Sequence, residues 1–363
     1  MDQMKKSTLI ATATILFCLL ISGLALGEMS EVKIGKGTLK MGGILQAGYT
    51  FNLEDSAGFD SFTLNRARFL FWGDIIPEKV KYFVQLDHRG GISVLDYKAR
   101  FFYIQKTEIA VGRFLPNFTL YMPYSTAKLE MINYPLTTLR FATWRQAGIQ
   151  TTTKTEYVDF NLGIFNGADQ PNNFSDNNDA KDFLLRADMK PPIEQAKVRF
   201  GGYAWIGSAD PGWGLTEEGT VKNNRFGGFA KVDYEATEKV TVKFRGEFLM
   251  ASTENLTFAN MDSVASVDAQ AFFVHFGVQP DPRFEFLARY DFFDPDTDQS
   301  YEAGVTPDDE ISWLTGGVNY YLEGINAMFY LNYIRKMESG KNADGSDREV
   351  DNDLFVAQVQ ITF

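Results

Sequence analysis

The sequence predicts an all-β fold, a transmembrane antiparallel β-barrel of about 16 strands with one loop folded inward to constrict it. Three observations predict it. Apolar and polar residues alternate with a period of two, and the charges keep to one of the two rows. The connections between these segments alternate between short and long. The chain is 15% aromatic, with 32 Phe and 31 Gly, yet after residue 27 it has no apolar run of the length a membrane helix needs.

Residues 1–27 read as a secretory signal. Lys5 and Lys6 form its basic start, Leu9 to Leu26 its largely apolar middle, and Ala25 and Gly27 the small residues before a cut ahead of Glu28. An uncleaved N-terminal anchor is the alternative, set against by the polar "EMSEVKIGKG" that follows at once. The one cysteine, Cys18, lies inside this segment behind the bulky Phe17, so neither lipid attachment nor a disulfide is expected in the mature chain. The signal's own charge is +1 (Lys5, Lys6 and Asp2), so the formal −12 of the whole chain becomes −13 without it. Acidity of that size argues against nucleic acid as a partner.

Residues 28–37 are expected as a short periplasmic segment, and residues 38–363 as the barrel. The alternating segments fall near 38–51, 62–73, 79–88, 94–105, 107–115, 138–150, 156–166 and 182–189, then 196–206, 225–235, 239–251, 267–278, 283–293, 310–322, 325–336 and 352–363. In "TVKFRGEFLM" (241–250), Val242, Phe244, Gly246, Phe248 and Met250 face one way. Thr241, Lys243, Arg245 and Glu247 face the other. "RFEFLARYDFF" (283–293) repeats the pattern. An Arg or Lys on a lipid-facing row at the bilayer midplane costs roughly 2–4 kcal/mol, so a bilayer enforces this segregation.

Short connections such as "QK", "EATE" and "EG" alternate with long ones at 170–180, 208–223, 252–266, 294–309 and 337–351. Short periplasmic turns and long outer loops are expected of such barrels, which puts both termini at the periplasmic end. Aromatic residues on the outward row fit two girdles, Tyr49, Phe51, Tyr290, Phe292 and Tyr333 above and Tyr82, Phe276, Tyr320 and Phe363 below. The final "FVAQVQITF" then reads as the strand that closes on the first one, ending in a girdle ring. A soluble β-sandwich would share the short strands, but neither the alternation of loops nor the girdles.

The longest connection, "LPNFTLYMPYSTAKLEMINYPLT" (115–137), is expected to fold into the bore and narrow it; an extracellular cap is the alternative. Charge is spread unevenly. Residues 28–150 carry 15 Lys/Arg against 11 Asp/Glu, whereas residues 151–363 carry 18 against 35. Arg66, Arg68, Lys81, Lys98 and Arg100 share the row opposite the apolar one and are the candidates for the pore lining. Basic side chains in a narrow bore favour anions. Charges that merely keep the wall wet and pair with Asp87 and Asp96 are the alternative. The outer stretch "DPDTDQSYEAGVTPDDE" has seven acids and no base, which fits a solvated loop or a divalent-cation contact at the lipopolysaccharide surface. No catalytic residue, cofactor or metal site is expected. Only His88 and His275 could serve a rim hydrolase, and neither has a nucleophile motif nearby.

Four stretches, "NRARFLFWGDIIPEKVKYFVQLD" (65–87), "DYKARFFYI" (96–104), "VGRFLPNFTLYM" (111–122) and "WRQAGIQ" (144–150), resemble the phosphate-selective porin family, types O and P. The resemblance covers residues 38–150. It implies a 16-stranded homotrimeric channel in the outer membrane of a Gram-negative bacterium, surrounded by lipid and lipopolysaccharide. Arg66, Arg68, Arg113 and Arg145 fall on basic positions of these motifs, so Arg113 and Arg145 join the candidates. Small hydrophilic solutes or inorganic anions are then the expected passengers of a passive, water-filled channel. A structural barrel that houses a partner protein, such as an electron-transfer cytochrome, is the rival reading.

Overall fold

A computed structural model describes residues 32–53, 59–167, 176, 179–209, 221–256, 264–298, 310–339, 346, 348 and 352–363. The expected signal segment, residues 1–27, lies outside the described residues, as do parts of all five long connections. The wall consists of sixteen strands. In chain order they are β1 (Gly37–Asn52), β2 (Ser61–Ile76), β3 (Val80–Asp87), β4 (Ser93–Ile104), β5 (Thr107–Phe114), β6 (Gln146–Lys154), β7 (Val158–Phe165) and β8 (Asp182–Met189). They continue with β9 (Ala196–Ala209), β10 (Val221–Glu235), β11 (Thr241–Leu256), β12 (Val264–Asp281), β13 (Phe284–Asp294), β14 (Ile311–Glu323), β15 (Ala327–Glu338) and β16 (Leu354–Thr362). Two further short pieces, Val32–Ile34 and Pro192–Ile193, pair with the beginnings of β1 and β9.

Each strand pairs antiparallel with its neighbours in sequence, and the sheet closes on itself where β16 meets β1, from Leu354 opposite Asn52 to Thr362 opposite Ile44. Closure leaves no unpaired edge to face hydrocarbon, where each unsatisfied backbone group is costly. The seam continues one residue further: the Gly43 N–H donates to the Phe363 carbonyl at 2.9 Å, and the Phe363 N–H to Gly43 at 3.2 Å. A methyl group at Gly43 would fall 2.4 Å from the Phe363 ring, so the ring lies directly over this glycine.

The two rows separate as their periodicity dictates. Along β13, Phe284, Phe286 and Tyr290 are exposed, while Glu285, Leu287, Arg289 and Asp291 are buried. Aromatic residues pair edge-on or tilted toward both strand ends, as in Tyr49 with Phe51 (4.5 Å) and Phe272 with Phe292 (5.2 Å) above, and Phe284 with Tyr320 (4.8 Å) below. Tight turns join the lower ends. Lys106 (φ 61°) and Gly324 (φ 52°) take the left-handed conformation that so short a reversal needs.

The sixth strand starts later than its alternation predicts. Residues 138–145 are not strand. A short helix, α1 (Leu136–Phe141), follows Pro135, and the chain turns through Trp144 (φ 49°) before β6 begins at Gln146. The cause is burial: Leu136, Thr137, Thr138 and Phe141 all face protein, so they no longer need a wet and a dry side. The long connection therefore runs from 115 to 145 and folds inward. Phe118, Leu120 and Met122 are at most 1% exposed and pack with Leu184, Tyr203, Trp205, Leu249 and Phe273 of the wall; Leu136 is 0% exposed. Full burial of an apolar side chain contributes roughly 1.5–3 kcal/mol, which makes the loop part of the core.

Candidate functional site

The inward loop lies against the wall of β8–β16, and its backbone and side chains bond to charged groups there. The Glu247 carboxylate of β11 accepts from the Leu120 N–H (2.5 Å), the Thr137 hydroxyl (2.6 Å) and the Tyr203 hydroxyl (2.7 Å). Arg289 donates to the carbonyls of Asn133 and Tyr134 and pairs with Asp291, which itself accepts from the Leu136 N–H. Arg186 donates to the Thr119 carbonyl at 2.6 Å and pairs with Asp188. Glu130, in the loop, receives Arg245 at 2.7 Å and the Tyr121 hydroxyl at 2.5 Å; Asp233 holds Arg245 from the other side. Burial pushes the Glu130 carboxyl up, but Arg245, His275 and the Tyr121 hydrogen bond outweigh it and hold it at about 2.

The loop then crosses to the first strand. Gln360 and Gln46 donate to the carbonyls of Ala127 (3.0 Å) and Thr126 (3.3 Å), and the Tyr330 hydroxyl donates to Leu129 (3.2 Å). Side chains from β1 and from β8 to β16 thus hold its backbone, which excludes the capping arrangement. The 115–137 stretch is inside.

The wall opposite, β2–β4, stays less covered. Arg66, Arg68, Lys81, Lys98 and Arg100 all stand on its inward row and are only partly buried. Arg66 donates to Gln46 at 2.6 Å and lies over the Tyr134 ring at 5.9 Å. Arg68 donates to the Thr126 hydroxyl at 3.2 Å and sits 3.7 Å from Asp87, within the electrostatic reach of Arg66 and Arg145. Lys81 pairs with Asp74 (3.4 Å), and Arg100 makes a two-pronged contact with Glu108 (2.7 and 2.5 Å). Lys98 sits between the rings of Phe83 (5.6 Å) and Phe114 (5.2 Å), and no described carboxylate is within 4.0 Å of it. Arg145 joins this group at the end of the loop, tied to Asp96 at 2.9 Å.

Arg113 is placed differently. It occupies the row of Val111 and pairs across with Tyr97, and its guanidinium donates to the carbonyls of Leu95 (2.5 Å) and Val94 (3.3 Å). Gly112 beside it takes φ 137°, the pairing of β3 with β4 is irregular around Leu86 and Val94, and Arg113 is 3% exposed.

Arg186, Arg245 and Arg289, with their partners Asp188, Glu130, Asp233 and Asp291, were not among the sequence candidates. Their parity was readable, but the acidic outer loops dominate the charge of residues 151–363 and mask a balanced inner wall. His275 is 1% exposed and 4.0 Å from Glu130, beneath the loop; His88 packs edge-on to Phe69 at the opposite part of the wall. Among the described residues, no group of three or more His, Cys, Asp and Glu is arranged to hold a metal ion.

A closed sixteen-stranded antiparallel barrel with an internal loop is the fold of outer-membrane β-barrels of Gram-negative bacteria. No family model matches the sequence, and no curated protein matches it. Among solved structures, the chain is similar to the outer membrane channel DcaP of Acinetobacter baumannii, with a TM-score of 0.62 and 10% identity over 92% of this chain and 100% of that one. It is also similar to OmpT, an outer membrane protein of Vibrio cholerae, with a TM-score of 0.59 and 14% identity over 93% of this chain and 100% of that one. The trimer form of the Vibrio cholerae protein aligns with a TM-score of 0.57 and 13% identity over 90% of this chain and 99% of that one. Likeness at such identities is likeness of fold.

Proposed function

We propose that this protein is an outer-membrane porin, a passive water-filled channel through which small hydrophilic solutes cross, with a preference for anions. The observation that carries the preference is the asymmetry of the bore. Under the loop, Arg186, Arg245 and Arg289 each lie within 4.0 Å of a carboxylate, whereas on β2–β4 Arg66 and Lys98 have no described carboxylate within that distance. Fixed positive charge along a narrow, partly desolvated passage raises the local anion concentration and lowers that of cations. The fold shared with DcaP, itself described as an outer membrane channel, supports transport over the sleeve reading. So does the loop, which occupies interior volume that a threaded partner protein would need.

The resemblance of residues 38–150 to phosphate-selective porins, types O and P, supports the same preference without making phosphate the preferred passenger. A homotrimer is supported by the trimer form of OmpT. Export by a cleaved signal over residues 1–27 completes the proposal. The test is the reversal potential of the purified protein in a planar bilayer under a KCl gradient. A potential displaced toward the chloride equilibrium value supports the reading. One displaced toward that of potassium overturns the anion preference.

A further inference from the structure

The inward face of β2–β4 carries rings as well as charges, and the two alternate. The register lays Trp72 opposite Phe83 and Phe83 opposite Lys98, with Lys81 opposite Arg100 in the adjoining row. Phe102 ends the ladder toward the short turns, 5.7 Å from the Lys81 ammonium and 5.3 Å from the Arg100 guanidinium. Gly42 makes room for the indole: a methyl group there would lie 3.1 Å from the Trp72 ring. Trp72, Phe83, Phe102, Lys81, Lys98 and Arg100 are each only partly buried, so rings and cations both face the passage.

Trp72, Phe83 and Phe102 belong to neither of the buried apolar clusters that the loop packs into, and hydrated inorganic ions gain nothing from such rings. An inorganic phosphate needs several converging donors. Here two of the three cations are already committed, Lys81 to Asp74 and Arg100 to Glu108, and only Lys98 has no described carboxylate beside it. One available positive charge flanked by π faces is complementary to a singly charged anion that carries a flat ring.

We infer that the Trp72–Phe83–Lys98 ladder is a binding site for small aromatic carboxylates. The carboxylate pairs with the Lys98 ammonium and the ring packs against Phe83 and Trp72; Phe102 with Lys81 and Arg100 forms a second, weaker station below. The inference rests on the proposed channel for its biological setting, but the site itself does not require conduction.

The experiment compares benzoate with acetate and with inorganic phosphate, which separates ring recognition from charge recognition. Each anion is titrated calorimetrically into the full chain in detergent micelles, and each is tested as a blocker of KCl current in planar bilayers. Benzoate is expected to bind about three- to tenfold more tightly than acetate, the ring contribution of a stacking contact. The variants Phe83→Leu and Phe102→Leu keep apolar bulk and remove the π face; each should bring the benzoate-to-acetate ratio toward one. Lys98→Gln should weaken both carboxylates together. Equal affinities for benzoate and acetate in the unaltered protein, or phosphate binding more tightly than benzoate, would overturn the inference. Benzoate binding by a barrel that passes no current would overturn the channel and leave the site standing. Current with no benzoate preference would do the reverse.

Discussion

Glu130, on the inward loop, and Arg245, on strand β11, form an ion pair at 2.7 Å in which Arg245 is 2% exposed. The pair joins the loop to the wall across more than a hundred residues of sequence, and three further groups converge on it: Tyr121, Asp233 and His275. A buried pair of this kind is costly to break from one side, because the survivor is left without its countercharge.

Acid should release this contact within a definable window. The Glu130 carboxyl is lowered from an ordinary 4.5 to about 2. Its stabilising contribution is therefore complete above pH 4.5 and is lost as the pH falls through 2, with a total of about 3 kcal/mol. Glu130→Gln should flatten the pH dependence of unfolding between those limits, as measured by thermal denaturation in detergent. An unchanged profile would place the acid-sensitive contact elsewhere.

Glu247 tests the loop's second anchor. It is 3% exposed and accepts from Leu120, Thr137 and Tyr203 together. Glu247→Ala strands those donors, at a cost of about 1–3 kcal/mol for each that finds no water. The loop should loosen, giving larger and noisier single-channel conductance and a lower unfolding temperature. Conductance identical to that of the parent would mean that the loop does not set the width.

Selectivity should follow the open wall and not the covered one. Replacing Arg66, Arg68, Lys98 and Arg100 together by Gln is expected to move the reversal potential toward the cation value, because their positive charge faces the passage. The same four changes leave the ion pairs under the loop in place, so a shift reports on the bore. An unmoved potential would assign selectivity to other groups.

The seam offers a test of closure. With the Phe363 ring seated over Gly43, a Cβ branch at that glycine meets the ring at 2.4 Å. Gly43→Val should displace the ring and weaken β16 against β1, lowering the temperature at which the folded band disappears in heat-modifiability gels. Gly324→Val, in a lower turn with no atom within 4 Å of an added Cβ, tests backbone strain alone and separates the two effects.

Much of this arrangement was readable as alternation. The rows of β13 follow the sequence residue by residue, because a strand with lipid on one side and polar surroundings on the other is held to period two. The inward placement of Arg66, Arg68, Lys81, Lys98 and Arg100 followed from the same rule. The stretch 138–145 did not, since the burial of Leu136, Thr137 and Phe141 against the wall removes the two-medium constraint that makes alternation informative. The pairing of Glu130 with Arg245 depends on how the loop lies across the bore, a long-range relationship that no local pattern encodes.

Single-channel recording of the unaltered protein in a planar bilayer shows whether the barrel encloses a passage which the inward loop narrows without sealing. Stable, ohmic current steps are expected, and their size should rise when Glu247 is replaced by Ala. A correctly folded, heat-modifiable barrel that inserts and stays silent, with or without that substitution, would contradict it.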